Sequence, residues 1–391
     1  MSRKNTIFLL AIVLVALSFW LFNVDYHVSK RDLPTKNCSE TDGKILCWSK
    51  LLNNTLENEG LPKTFDKLAE LYNTEPLFAG GCHTFAHEIG EATYKKFAKG
   101  QDFDLNAKTS YCGYGFYHGF METLLQTTGD IKQAQNFCKY VGLKLNGETV
   151  DGEGACYHGI GHGTVDGDDI SSWGNAQKML SPSLKMCEKV AGDDHSQYGK
   201  LYRCVSGAYN SLEILSHNPK YKLLKTANDP FSICPTQLKE YQEACYTNML
   251  PAILINTGND LLKSQNYVEK IKEDGYSIRT SVTSSLFHEF IRMNITLPDY
   301  NIEAGIKMCH LLKDPYRMAC IDGLSGGHMK YGNPKDAYVK GLSFCSRSTL
   351  RDDEKSSCYN YILSRLRIWY SVAKTKEICQ SIPEKFQKYC N

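Results

Sequence analysis

Histidines at helical spacing are the residues in this sequence best suited to chemistry. Two HxxxH pairs occur, His83 with His87 in GCHTFAHEIGE and His158 with His162 in CYHGIGHGTVD. On a helix, side chains four residues apart share one face, with Cβ atoms about 6 Å apart. Two imidazoles in this arrangement can bind one metal ion from successive turns, so the spacing favours metal binding.

A third histidine and three carboxylates extend the pattern. His118 stands six residues after Cys112, as His162 stands six residues after Cys156, so the two histidines occupy equivalent positions. In three segments an acidic residue follows four positions after a histidine: Glu91, Glu122 and Asp166. A carboxylate one turn from an imidazole can share its metal ion or orient the ring through a hydrogen bond.

These residues predict a metal site in the first half of the chain. The predicted ligands are His83, His87, His118, His158, His162, Asp166 and, from the segment LFHEFIRMN, His288. The predicted catalytic bases are Glu88, Glu91 and Glu122. Imidazole and carboxylate without thiolate suit Fe, Mn, Zn or Cu and do not choose among these transition metals.

A metal in such a site acts either as a Lewis acid that activates water or as a redox centre. More ligands are available than hydrolytic zinc usually needs, which favours a metal-dependent oxidoreductase over a hydrolase. Two other functions stay open, a non-catalytic helical-repeat module that binds a protein partner and a b-type haem protein. Four histidines fit no position of the pattern and are interpreted as surface or packing residues: His27, His195, His217 and His310.

Glycines surround the histidines at unusual density. They are Gly81, Gly90, Gly115, Gly119, Gly159, Gly161 and Gly163. Each costs up to about 1 kcal/mol in a helix interior relative to alanine. Close approach between helices would compensate for this cost and would bring histidines from neighbouring helices together.

The 16 cysteines indicate which elements position these side chains. Six consecutive couples are 11 to 18 residues apart: Cys138 with Cys156, Cys187 with Cys204, Cys234 with Cys245, Cys309 with Cys320, Cys345 with Cys358, and Cys379 with Cys390. The first cysteine of a couple ends an amphipathic, helix-like segment such as NIEAGIKMC, and the second opens another. The pattern predicts an all-α fold of helix pairs, each pair stapled by a disulfide.

The step between units, about 34 to 49 residues, is typical of helical solenoids. Cys82 with Cys112 and Cys38 with Cys47 complete an even count, and no CxxC occurs, so we expect disulfides and not a metal–thiolate site. In architecture alone, the paired cysteines resemble those of secreted bacterial helical-repeat proteins. We expect a His-rich half at 60–230 and a second disulfide-stapled half at 231–391.

The N-terminus predicts a membrane anchor. Ile7 to Phe22 is an uncharged apolar run, and together with the next two residues it is about long enough to span a bilayer as a helix. No small-x-small cleavage site follows the run, as would be expected after a removed signal peptide. We predict an uncleaved anchor at 1–24 and a linker at 25–59. The number of cysteines places the body outside the cytosol, where Asn37, Asn53 and Asn294 would be glycosylation sites in a eukaryote.

Charge excludes one class of function. The 391 residues contain 45 Lys and Arg against 43 Asp and Glu, a formal net charge of only +2. A chain so balanced lacks the basic field that holds nucleic acid, so no nucleic-acid partner is expected.

Overall fold

The computed structural model describes residues 38, 43–145, 151–165, 167, 169–272, 277–297, 300–332 and 334–390. Helices are the regular elements throughout these ranges, and strands are absent from them, which confirms the all-α prediction. No helix within these ranges is long and apolar enough to cross a membrane. The predicted anchor at 1–24 and the predicted ligand Asp166 lie outside the described residues.

The chain divides into two compact units, residues 1–47 and 48–391. Of the first unit the structure describes residues 38 and 43–47, which include the Cys38–Cys47 disulfide. The helices, in chain order, are α1 (Lys44–Glu59), α2 (Leu61–Thr74), α3 (Pro76–Gly80), α4 (Cys82–Phe97), α5 (Tyr111–Thr128), α6 (Ile131–Lys144), α7 (Gly152–Gly163), α8 (Ala176–Ala191), α9 (Lys200–Ser216), α10 (Leu224–Asn228), α11 (Lys239–Asn248), α12 (Leu250–Asn256), α13 (Leu261–Glu269), α14 (Ser277–Asn294), α15 (Ile302–Leu311), α16 (Tyr316–Tyr331), α17 (Ala337–Cys345), α18 (Asp352–Leu363), α19 (Leu366–Trp369), α20 (Val372–Gln380) and α21 (Glu384–Gln387).

Part of the predicted linker is helical. Helix α1 covers residues 44–59 because Trp48, Leu52 and Leu56 recur every four residues and are buried along one face. The Trp48 ring packs edge-on against the rings of Phe78 and Phe85, with centroids 5.4 and 6.1 Å apart. Residues 48–59 therefore pack against neighbouring helices through this apolar face.

All eight predicted disulfides are present, and no free cysteine remains. Their Cα–Cα separations run from 5.3 Å at Cys138–Cys156 to 6.1 Å at Cys379–Cys390, within the usual range for a disulfide. Each closes a short loop and restricts the unfolded chain, a stabilisation of about 2–4 kcal/mol. The predicted helix-pair repeat is confirmed.

The cysteines lie deeper in their helices than the sequence suggested. Cys156, Cys204 and Cys320 each stand at the fifth position of a helix and do not open it. One extra turn therefore precedes the staple, because the residues before each cysteine are also helix-compatible. Capping side chains begin two of the first helices: the side chains of Asp130 and Asn175 accept hydrogen bonds from backbone N–H groups three residues later.

The second helices of the pairs pack side by side and the row closes on itself. Helix α5 contacts α4 and α7, and it also contacts α16 from the other end of the chain. The Tyr72 hydroxyl donates to the carbonyl of Tyr331 at 2.5 Å, and the Tyr114 hydroxyl donates to the carbonyl of Ile368 at 3.3 Å. Residues 48–391 thus enclose a central cavity, whereas the repeat spacing predicted only an open row.

Glycines set how closely the inner helices approach. A Cβ built on Gly119 of α5 would lie 2.0 Å from the carbonyl oxygen of His87 in α4. On the other side of the row, a Cβ on Gly207 of α9 would lie 1.9 Å from the carbonyl oxygen of His158 in α7. Side chains larger than hydrogen cannot occupy these positions without separating the helices.

We expect Gly119→Ala to lower the free energy of unfolding by about 1–3 kcal/mol, because the overpacking cost exceeds the gain in helix propensity. Gly80→Ala is the matched control, since Gly80 is exposed and its added Cβ would meet only Thr296 Oγ1 at 3.4 Å. Chemical denaturation of the full chain measures both. Equal stability of the two variants would contradict the close-approach interpretation.

Candidate functional site

Three neighbouring helices carry the five histidines of the first half. Helix α4 supplies His83 and His87, α5 supplies His118, and α7 supplies His158 and His162. The predicted helical placement of both HxxxH pairs is therefore correct. Because glycines hold the three helices close, residues from different helices come into direct ring contact.

The five imidazoles form one contiguous cluster with His118 at its centre. The His118 ring is 4.9 Å from that of His83, 4.8 Å from that of His158 and 5.0 Å from that of His162, measured between ring centroids. The rings of His87 and His162 are 6.3 Å apart. His118 is 6% exposed, so the centre of the cluster is buried. The residues that surround the cluster differ between its two ends.

At one end Glu122 lies between His87 and His162. The Nε2 atom of His87 donates to Oε2 of Glu122 at 2.9 Å, and Nδ1 of His162 pairs with Oε1 of the same carboxylate. The Nδ1 atom of His87 also pairs with Oε1 of Glu91, at 3.1 Å. We name these four residues the histidine–carboxylate group, which is partly exposed.

Charges within this group stabilise one another. Burial alone would raise the pKa of Glu122, but the hydrogen bonds from His162 and His87 outweigh it and hold that pKa well below its usual range. Burial would lower the pKa of His87, but the bond to Glu122 and the charges of Glu122 and Glu91 raise it overall. Both nitrogens of His87 face carboxylates, so the protonated ring donates to each.

At the other end the rings of His83, His118 and His158 line the central cavity. Burial lowers the pKa of His83 to about 4 and holds the pKa of His118 and His158 well below the usual value, so all three rings are neutral near pH 7. Nδ1 of His83 donates to the carbonyl of Cys112 at 2.9 Å. That carbonyl is presented by three successive left-handed residues, Cys112 to Tyr114, a conformation that L-residues rarely adopt.

The cavity has a volume of about 400 Å³ and receives side chains from both halves of the chain. His288 of α14 lines it together with Glu289 and Arg292. Its ring lies 5.2 Å from that of Tyr331, and its Nε2 atom is buried without a hydrogen-bond partner in the described part of the chain. His288 therefore shares the cavity but makes no ring contact with the five-histidine cluster.

Charged cavity residues escaped the sequence analysis. Arg203, Arg292, Lys330 and Arg365 line the cavity, as do Asp151, Glu213 and Glu289. The sequence of α14 does indicate a polar helix face, because His288 and Arg292 are four residues apart and therefore lie on the same side of the helix. The apolar residues of α14 do not account for this polar face. For Lys330 and Arg365 the closure of the row brings distant segments together, which no local pattern reports.

Other predicted residues lie apart from both ends of the cluster. Glu88 is half-buried and follows His87, about 100° around the helix, and it is not among the residues that line the cavity. Three histidines interpreted as surface or packing residues pair with glutamates: His195 with Glu240, His217 with Glu213, and His310 with Glu354. His27 lies outside the described residues.

Within the described residues no three His, Cys, Asp or Glu side chains are arranged to hold a metal ion in the conformation shown. Glu122 instead connects two imidazoles through hydrogen bonds, and the cavity-lining imidazoles contact one another as rings. The cluster thus combines neutral stacked rings with a charged histidine–carboxylate group.

The acid stability of the protein should depend on His288. Burial, followed by the charge of Lys330, lowers its pKa to about 3 from 6.5, so below pH 6.5 the unfolded chain gains a proton that the folded chain does not. This lowers the free energy of unfolding as pH falls from 6.5 toward about 3. In the His288→Phe variant we expect the free energy of unfolding to fall less steeply with decreasing pH, by up to about 1.4 kcal/mol per pH unit. Chemical denaturation of both proteins at several pH values measures this difference. Parallel pH profiles of the two proteins would contradict the assignment.

Comparisons with known proteins do not identify a family for this chain. No protein-family model, curated protein or solved structure matches the chain. The function has to be inferred from the chemistry of the residues that the fold brings together.

Proposed function

We propose that this chain is a metalloprotein whose transition-metal ion is bound by His87, Glu122 and His162. One observation carries the proposal: two imidazoles from separate helices direct nitrogen atoms at the two oxygens of a single carboxylate. A metal ion would take the place of the protons in these hydrogen bonds.

The spacing of the ligand atoms supports this replacement. Nitrogen and oxygen ligands each lie about 2.0–2.2 Å from such an ion, so adjacent ligand atoms are about 3 Å apart. His87 Nε2 and Glu122 Oε2 are 2.9 Å apart. Small side-chain movements would therefore suffice, and the bond from Nδ1 of His87 to Glu91 would orient the ring as carboxylates commonly orient metal-binding histidines.

The ligand types favour a redox metal. Every cysteine is in a disulfide, so no thiolate is available, and the set consists of two imidazoles and one carboxylate. Such a set with open positions suits non-haem iron that reacts with oxygen, although manganese, zinc and copper accept the same ligands. The side chains of His87 and Glu122 are 21% and 20% exposed, so a small molecule can reach the ion. We therefore propose a metal-dependent oxidoreductase rather than a hydrolase.

Metal content tests the site without an activity assay. We expect the full chain, purified in detergent, to contain a transition metal by elemental analysis, and we expect Glu122→Gln and His162→Asn to lower metal affinity at least about tenfold. His195→Asn is the matched control, because His195 and Glu240 form an exposed pair of the same types, 3.2 Å apart. The fold should persist in all variants, since the disulfides hold the helix pairs.

A wild-type protein without metal after reconstitution would overturn this proposal and would favour the binding-module function, with a protein partner on the helical surface. A visible spectrum of the same sample separates the remaining alternative, because a haem bound between two histidines absorbs strongly and non-haem iron, manganese or zinc does not. Equal metal loss in His195→Asn and Glu122→Gln would also contradict the assignment.

We propose further that the body of the protein lies outside the cytosol on an uncleaved N-terminal anchor. The pairing of all 16 cysteines supports an oxidising compartment. The apolar run from Ile7 to Phe22 supports the anchor.

The anchor can be tested by fractionation. We expect the protein to stay with membranes after a carbonate wash, because an apolar helix of this length partitions into the bilayer. N-terminal peptide mapping should recover residues 7–22 from the mature protein. A carbonate-soluble chain that begins after Phe22 would show a cleaved signal instead.

A further inference from the structure

We propose that the central cavity is a second binding site, which takes a small organic anion whose carboxylate or phosphate group pairs with Lys330. This site is distinct from the histidine–carboxylate group and does not depend on metal binding there. The proposal depends on the charges of the cavity wall, on its volume and on the polar atoms that remain available in it.

Each acidic residue of the cavity wall already has a hydrogen-bond partner among the described residues. Asp151 pairs with Arg203 at 2.7 Å and Glu289 pairs with Arg292, while Glu213 is hydrogen-bonded to Nε2 of His217 at 2.7 Å and burial raises its pKa, which disfavours its charged form. These pairs account for two of the four cationic side chains in the wall. The remaining two, Lys330 and Arg365, have no carboxylate within 4.0 Å among the residues that the structure describes.

Lys330 is the more exceptional of the two. Its ammonium group lies 5.2 Å from the centre of the Tyr331 ring, and its side chain packs near the left-handed residue Gly113. Burial lowers the pKa of Lys330, and the charge of Glu289 offsets this only in part. An ammonium group that faces a cavity without a carboxylate partner is poorly stabilised there, and a bound anion would pair with it.

Arg365 provides a second cationic contact. Its guanidinium group stacks 4.0 Å from the centre of the Tyr361 ring and donates to the Tyr361 carbonyl at 3.3 Å. These contacts orient the group without neutralising its charge. Two cations without carboxylate partners in one cavity therefore favour a negatively charged ligand.

The remaining lining fits an organic molecule rather than a bare ion. Nδ1 of His118 and Nε2 of His288, on two residues that line the cavity, are buried without hydrogen-bond partners in the described residues, so a polar group of a ligand that reached either atom would satisfy it. Tyr114 and Trp369 add aromatic surface. A volume of about 400 Å³ lies at the lower end for small-molecule sites and suits a small ligand.

The cavity is open to solvent on at least one side. Ile214 lines it and is 50% exposed. A soluble anion can therefore enter near the C-terminal end of α9.

Calorimetric titration of the full chain in detergent tests the site. The probes are inorganic phosphate and succinate, with the neutral succinamide as a ligand control. We expect phosphate or succinate to bind and succinamide not to bind, and which anion binds more tightly identifies the anionic group. Lys330→Met should raise the dissociation constant of the anion about 10- to 100-fold, as expected for the loss of one charged hydrogen bond. Lys330→Arg should retain most of the affinity, because it keeps the positive charge.

Lys307→Met, which removes an exposed lysine of α15, is the matched control and should bind as the wild type does. Thermal melting without ligand shows whether Lys330→Met folds; we expect no loss of stability, because burial already disfavours the charge. Wild-type protein that binds neither anion up to about 10 mM would overturn the proposal. So would equal affinity of the wild type and a folded Lys330→Met variant.

Discussion

The glycine contacts between inner helices are the constraint on which the rest of this structure depends. A Cβ on Gly119 of α5 would lie 2.0 Å from the His87 carbonyl oxygen in α4, and a Cβ on Gly159 of α7 would lie 2.5 Å from the Tyr117 carbonyl oxygen in α5. This proximity places imidazoles of α4, α5 and α7 within ring contact of one another, which longer side chains at the contact would prevent. Histidines that are far apart in the sequence therefore form a cluster because of small residues that do no chemistry themselves.

The disulfides stabilise helices that are weak by themselves. Gly-rich helices have weak intrinsic stability, and the polar side chains that line the central cavity contribute no apolar burial. Eight cross-links restrict the unfolded chain and stabilise the array without adding side-chain volume to the inner helices. The fold can thus tolerate glycines at the contacts and charges at the centre.

The cluster has two chemical environments, and His118 separates them. On one side Glu122 holds two imidazoles through charged hydrogen bonds at a partly exposed position. On the other, His83 and His158 are kept neutral by burial beside a cavity that also contains unpaired cations. The two proposed sites follow this division, because carboxylate with imidazole suits a metal cation and a lysine without a carboxylate partner suits an anion.

The sequence by itself determined the helical class, the disulfide pairing and the helix faces of His83, His87, His158 and His162, because these follow from spacing within one or two turns. Tertiary structure alone decided three other features. Closure of the row brought Lys330 and Tyr331 of α16 against the α4–α5 region. These contacts join residues more than 200 positions apart, and no pattern of residue spacing in the sequence predicts them. The division of the histidines between Glu122 and the cavity depends on how α5 and α7 face each other. The burial that keeps His118 neutral arises only after all neighbouring helices have packed around it.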